Sequence, residues 1–136
     1  MDMPKKILYS WLFWGLVFIV CMFKACTFIS EGMCSNAIYS QAFSPNGEFK
    51  AVAFSRDCGA TTSFSTHVSL LHSNDNLANE AGNTFISKGS ATLVNPSLAW
   101  HSNSNLRITF SNQGKVFKAN KEYSGNVAVS YSENGS

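Results

Sequence analysis

Two hydrophobic patterns divide the chain. From Ile7 to Phe23 the sequence ILYSWLFWGLVFIVCMF runs for 17 residues without a charge. Past residue 32 the apolar positions contract into short alternating runs. The first pattern predicts a helix. At about 1.5 Å per residue it measures roughly 25 Å, and Ala25 to Ile29 beyond Lys24 extend it to about 34 Å, enough to cross a hydrocarbon core of about 30 Å. The second pattern predicts strands. Glu48 to Arg56 (EFKAVAFSR) puts Phe49, Ala51, Ala53 and Ser55 on one face and Lys50, Val52, Phe54 and Arg56 on the other, the period of two of an extended chain. Similar runs occur at 37–42, 64–72, 84–87, 98–101, 106–111, 115–118 and 127–131. Turn clusters such as Pro45-Asn46-Gly47, Ser73-Asn74-Asp75-Asn76 and Asn112-Gln113-Gly114 separate them. No helical stripe follows residue 32, and Leu77 to Ala81 allows one helical turn at most. The expected fold is all-β, a small antiparallel sandwich or open barrel behind one N-terminal transmembrane helix.

One internal similarity supports paired hairpins. Phe43 to Ser55 overlays Trp100 to Ser111 with one gap: an aromatic residue, a polar turn, a basic residue, an apolar strand and a closing Phe-Ser. The spacing approaches that of a propeller blade, but two blades cannot close a propeller. The similarity therefore predicts two equivalent, blade-like hairpins within one small domain; chance resemblance of two turn-strand units stays open beside true repetition.

Charge and length sharpen the division. The net charge of +2 resides at the N-terminal end, where Lys5, Lys6 and Lys24 face Asp2, whereas from Thr27 onward seven basic and seven acidic residues cancel. A neutral domain lacks the basic stripe that phosphate backbones require, which argues against nucleic acid as a partner. About 110 residues suffice for one core and not for two. The expected organisation is a cytoplasmic N-terminus at 1–6, a signal anchor at 7–29 and an extracytoplasmic β domain at 30–136. Lys5 and Lys6 outweigh Lys24, so the positive-inside rule keeps the N-terminus in the cytoplasm. The apolar run exceeds the usual signal-peptide core, and Phe23-Lys24-Ala25 is a poor cleavage site, which favours retention in the inner (cell) membrane. Lipidation at Cys21 or Cys26 and cleavage remain the alternatives. Trp11 and Trp14 read as lipid or interface anchors, and Trp100 as a core residue.

The cysteines carry the most definite local chemistry. Cys34 and Cys58 both fall in the exported part, and a pair in an oxidising compartment points to a disulfide; two free thiols are the other reading. A Cys58 nucleophile served by His67 lacks an orienting group and an oxyanion hole. After Cys58, Gly59 permits positive φ, and Thr61, Thr62 and Ser63 are suited to bonding nearby backbone. That makes a rigid strand connection, or else, with Arg56, Asp57 and His67, a recognition surface for a protein partner or a polar ligand. His67, His72 and His101 lack ligand spacing, so no metal and no cofactor are expected.

The segment Arg56-Asp57-Cys58-Gly59-Ala60-Thr61-Thr62, with Ser44-Pro45-Asn46-Gly47-Glu48-Phe49-Lys50-Ala51-Val52 before it, resembles a family of small bacterial envelope proteins. That family has an N-terminal membrane segment or lipoprotein signal, an SPDG-type turn, a strand and a Cys-Gly-Ala-Thr-Thr element, and often an earlier cysteine that Cys34 would match. The likeness covers roughly residues 34 to 110 and implies a membrane-associated envelope protein without supplying an activity. At the position of His67 the family often has a different polar residue. Two functions are expected, and an enzyme is not among them. One is a tethered binding or inhibitory module of immunity type; the other is a structural or accessory subunit of an envelope complex.

Overall fold

The computed structural model describes residues 4–135. Met1 to Met3, Ser136 and the side chains of 26–32, those of Cys26 and Glu31 among them, lie outside the described residues. The chain forms two compact units, Met1–Met33 and Cys34–Ser136.

The first unit is helix α1, Lys5–Gly32, 28 residues and about 42 Å long. Its side chains from Lys5 to Ala25 are exposed all round, Trp11 at 78%, and over Lys5–Ala25 it is long and apolar enough to cross a membrane. A helix apolar on every side has no face to offer water.

The second unit is all β apart from one helical turn. In chain order it comprises β1 (Ser35–Phe43), β2 (Phe49–Asp57), β3 (Ser65–His72), β4 (Phe85–Lys88), α2 (Ala91–Val94), β5 (Ser97–Ser102), β6 (Asn105–Ser111), β7 (Val116–Ala119), β8 (Glu122–Tyr123) and β9 (Val127–Asn134). One sheet has the order β1-β2-β3-β4-β7 and the other β5-β6-β9-β8. Neither closes into a barrel, and together they make a sandwich. The helical turn falls at Ala91–Val94 rather than at 77–81, because Ala91 and Val94 are drawn into the core. Pairing is antiparallel except between β6 and β9, which run parallel from Asn105↔Ala128 to Ser111↔Asn134. After β6 the chain crosses to the first sheet to form β7 before returning as β8 and β9, and that excursion brings β9 back in the direction of β6.

The core lies between the sheets. Phe49, Ala51 and Ala53 of β2, Val68 and Leu70 of β3 and Phe85 of β4 meet Leu106, Ile108 and Phe110 of β6 and Val127 and Val129 of β9. Of the two faces that alternation gives β2, the one with Phe49, Ala51 and Ala53 packs between the sheets. Trp100 also packs against this core, its Nε1 donating to the Ala42 carbonyl across the sheets (3.1 Å).

The two similar segments form the hairpins β1-β2 and β5-β6, one leading each sheet. Their turns touch: the Asn46 amide donates to Asn103 Oδ1 (2.9 Å). The first turn is closed by the Gly47 amide bonding the Ser44 carbonyl (2.8 Å), while the buried Ser44 Oγ accepts from the Phe49 amide (3.0 Å).

Candidate functional site

The outer face of the first sheet holds two of the side chains singled out from the sequence, Arg56 and His67. Period two sends Val52, Phe54 and Arg56 of β2 and Ser65, His67 and Ser69 of β3 away from the core. An outward face would ordinarily be wet, yet Val52, Phe54, Arg56, His67 and Ser69 are all buried. The connection between β3 and β4 covers them. Residues 77–83 run across this face as a strap, held by side chains from four strands, β1, β2, β3 and β7.

The attachments satisfy backbone groups of the strap, which lacks a strand partner, and backbone groups at Cys34 and Leu70 that the sheet leaves open. Asn36 of β1 donates to the carbonyls of Ala78 (3.2 Å) and Glu80 (3.0 Å). Asn79 donates to the Cys34 carbonyl (2.8 Å). The Gly82 amide donates to His67 Nδ1 (2.9 Å), and the Gly82 carbonyl accepts from Lys118 Nζ (3.3 Å). Asn83 imitates a strand residue: its Oδ1 accepts from the Leu70 amide (2.9 Å) and its Nδ2 donates to the Leu70 carbonyl (2.8 Å). Gly82 is needed for closeness, since a Cβ there would lie 2.8 Å from the Val68 carbonyl oxygen and 2.9 Å from His67 Cβ.

Arg56 and His67 are therefore joined in one polar layer under the strap. The Arg56 guanidinium bonds Asn36 Oδ1 (2.7 Å) and Asn79 Oδ1 (3.2 Å). The His67 ring stacks on Phe54 with centroids 5.4 Å apart, and its Nε2 lies 2.7 Å from Ser65 Oγ. Burial foremost, then the positive charges of Arg56 and Lys118, push the His67 pKa down from 6.5 to about 4. The remaining candidates lie elsewhere. Asp57 Oδ1 caps the following turn by accepting from the Gly59 amide (3.0 Å), Gly59 has φ +105, and Thr62 Oγ1 donates to the Gly59 carbonyl (3.1 Å). Thr61 is exposed beside them. Cys34 and Cys58 are bonded to each other, 24 residues apart in sequence.

Ser65 against His67 has the composition of a nucleophile and base but the wrong tautomer. A base needs a free Nε2 lone pair toward the hydroxyl and an Nδ1–H held by an acceptor. Here the Gly82 amide donates to Nδ1, so in the neutral ring the proton sits on Nε2 and is donated to Ser65 Oγ. The pair is a structural link.

The part of this face left open at the surface is apolar. A shallow groove of about 290 Å³ runs between β1 and the strap. Ile38, Leu77 and Ala78 line it together with the amides of Asn36 and Asn79, and Cys34 is at one end. Ile38 is 60% exposed. Sequence reasoning missed Asn36, Asn79, Gly82 and Asn83. The signal available was the length of the 73–84 connection, well beyond an ordinary hairpin loop and dense in asparagine.

Comparison of this chain with family models, with curated proteins and with solved structures finds no match. Its function is therefore read from its own geometry.

The His67 layer carries a pH prediction. The folded pKa of about 4 lies below the ordinary 6.5, so between these values the unfolded chain binds the proton that the native ring refuses. Stability is full above pH 6.5 and falls as pH drops toward 4, by roughly 2 kcal/mol at pH 4.5. Urea unfolding of the wild type at pH 7 and pH 4.5 should show this loss, and His67→Asn should flatten it. Equal slopes in the two proteins would remove His67 as the cause.

Proposed function

We propose that the protein is a single-pass protein of the bacterial inner membrane whose exported β domain is a binding or inhibitory module of immunity type. The observation that carries binding over chemistry is the inward turn of the polar candidates. Arg56, His67, Asn79 and Asn83 use their hydrogen bonds to hold the strap, while the groove between the strap and β1 is lined by the apolar Ile38, Leu77 and Ala78. Such a lining with a few amides at its edge suits an apolar side chain of a protein partner.

Two observations support the address. Lys5 and Lys6 on one flank of α1 against the single Lys24 on the other favour an inside N-terminus. The Cys34–Cys58 disulfide belongs to an oxidising compartment.

The test uses the full chain in envelope membranes with cross-linking. Ile38→Asp and Leu77→Glu place an unpaired charge in the groove. Each should abolish a cross-linked product that the wild type forms, while the disulfide stays intact. A chain whose α1 is replaced by an unrelated membrane helix should keep that product. If the helix exchange loses the product and the groove variants keep it, the domain is the spacer of an accessory subunit and the groove reading fails.

A further inference from the structure

One end of the first sheet carries features that the groove does not use. A row of paired residues crosses it: Ser35 opposite Asp57, Arg56 opposite Ser65, and Ser65 opposite Lys88. The row ends where the Lys88 amide bonds the Lys115 carbonyl (2.9 Å). At about 4.8 Å per strand, the row extends roughly 20 Å from the point where the chain enters the domain. Along it stand Phe64, 53% exposed, and Leu93, 61% exposed. They flank a shallow cavity of about 340 Å³ lined by Ser63, Phe64, Lys88, Gly89, Ser90 and Leu93. Lys88 and Lys115 are exposed beside them, and Lys115 Nζ lies 5.9 Å from the ring of exposed Phe117. Among the described residues the acids toward this end are Asp57, half-buried and bonded to the Gly59 amide, and the exposed Glu80, whose carbonyl bonds Asn36, and Glu133, beside Phe110 near the end of β9.

Exposed apolar tips with lysines around them are the composition of a surface that enters lipid headgroups. The tips reach the acyl boundary while the lysine stems lie along it and their ammonium groups meet phosphate. Chain connectivity selects lipid over other occupants. Ser35 follows Gly32, the last residue of α1, by three positions, so covalent geometry alone holds the start of this row within about 11 Å of the helix terminus. The Cys34–Cys58 bond ties the loop leading to Phe64 to that same point.

Resting on the membrane-anchor reading above, we infer that this end of the sandwich, through Phe64 and Leu93 with Lys88 and Lys115, lies on the lipid headgroups of the membrane that α1 crosses. The contact orients the domain and leaves the far hairpin turns for partners beyond the surface.

The experiment places one fluorescent amino acid in the full-length chain at Phe64, Leu93, Phe43 or Phe18, all exposed positions. Each variant is reconstituted in vesicles of phosphatidylcholine and phosphatidylglycerol with quencher-bearing lipids. A midplane quencher should dim the label at 18, in α1. A quencher near the headgroups should dim 64 and 93 at least about two-fold more than 43, at the other end of β1. Combining Lys88→Ala with Lys115→Ala should weaken the headgroup contact, by about five-fold per lysine, only when phosphatidylglycerol is present. If 18 is dimmed while 64 and 93 respond no more than 43, the lipid contact is overturned and the anchor stands. An undimmed 18 overturns the anchor, and the inference with it.

Discussion

Phe85→Ala should lower the unfolding free energy by about 3–5 kcal/mol, the usual cost of emptying an aromatic site in a core. Phe85 is completely buried and links the sheets through two rings: from β4 it meets Phe110 of β6 at 4.8 Å and Tyr131 of β9 at 5.8 Å. The site cannot collapse easily. Tyr131 is fixed at its far end, its hydroxyl donating to the carbonyls of Thr84 (3.2 Å) and Asn120, and its burial raises its pKa to about 12. A loss of this size consumes much of the 5–15 kcal/mol typical of a domain. Denaturant midpoints of Phe85→Ala and of the exposed control Phe43→Ala settle the matter; equal midpoints would mean that the sheets do not depend on this ring.

Removing the disulfide should be of similar size. Cys34→Ser and Cys58→Ser are each expected to destabilise by about 3.5 kcal/mol in the chain-entropy model for a loop of about 25 residues. The double variant should be no worse than either single one, since one loop constraint is lost in all three. Part of the effect has a structural address, because the Cys34 carbonyl accepts from Asn79 of the strap. Loosening that end should raise hydrogen exchange over 77–83 before it reaches the core strands. Additive single effects, or full thiol labelling of Cys58 in the non-reduced native protein, would contradict the bond.

Alternation made the strands legible. Every alternating run of the sequence lies on a strand, and the inward set Phe49, Ala51 and Ala53 is the one that packs. The two-residue strand Glu122–Tyr123 escaped because two residues hold no period. The parallel pairing of β6 with β9 escaped because periodicity records which way a side chain faces and not which strand lies beside it.

The candidate site was legible in part. Arg56 and His67 do share a face and a layer, as their parity on paired strands requires. Both are buried, and a buried guanidinium and imidazole demand partners, which Asn79 and Gly82 of the strap supply. Asp57 and Thr62 close the turn at Gly59, the structural side of the two readings of that segment.

By itself, then, the sequence determined the apolar helix, the all-β character of the chain past residue 32, the division of β2 into two faces and the two cysteines available to pair. All of these depend on residue type and on spacing along the chain. Only the tertiary structure decided the parallel return of β9, the burial of Val52 and Phe54 on what reads as an outer face, and the neutral His67 with its proton on Nε2. Each of these depends on a segment arriving from far along the chain, and the Gly82 amide that sets the His67 tautomer comes from 15 residues away. Local pattern cannot register such an arrival, because its energy exists only once the strap has docked.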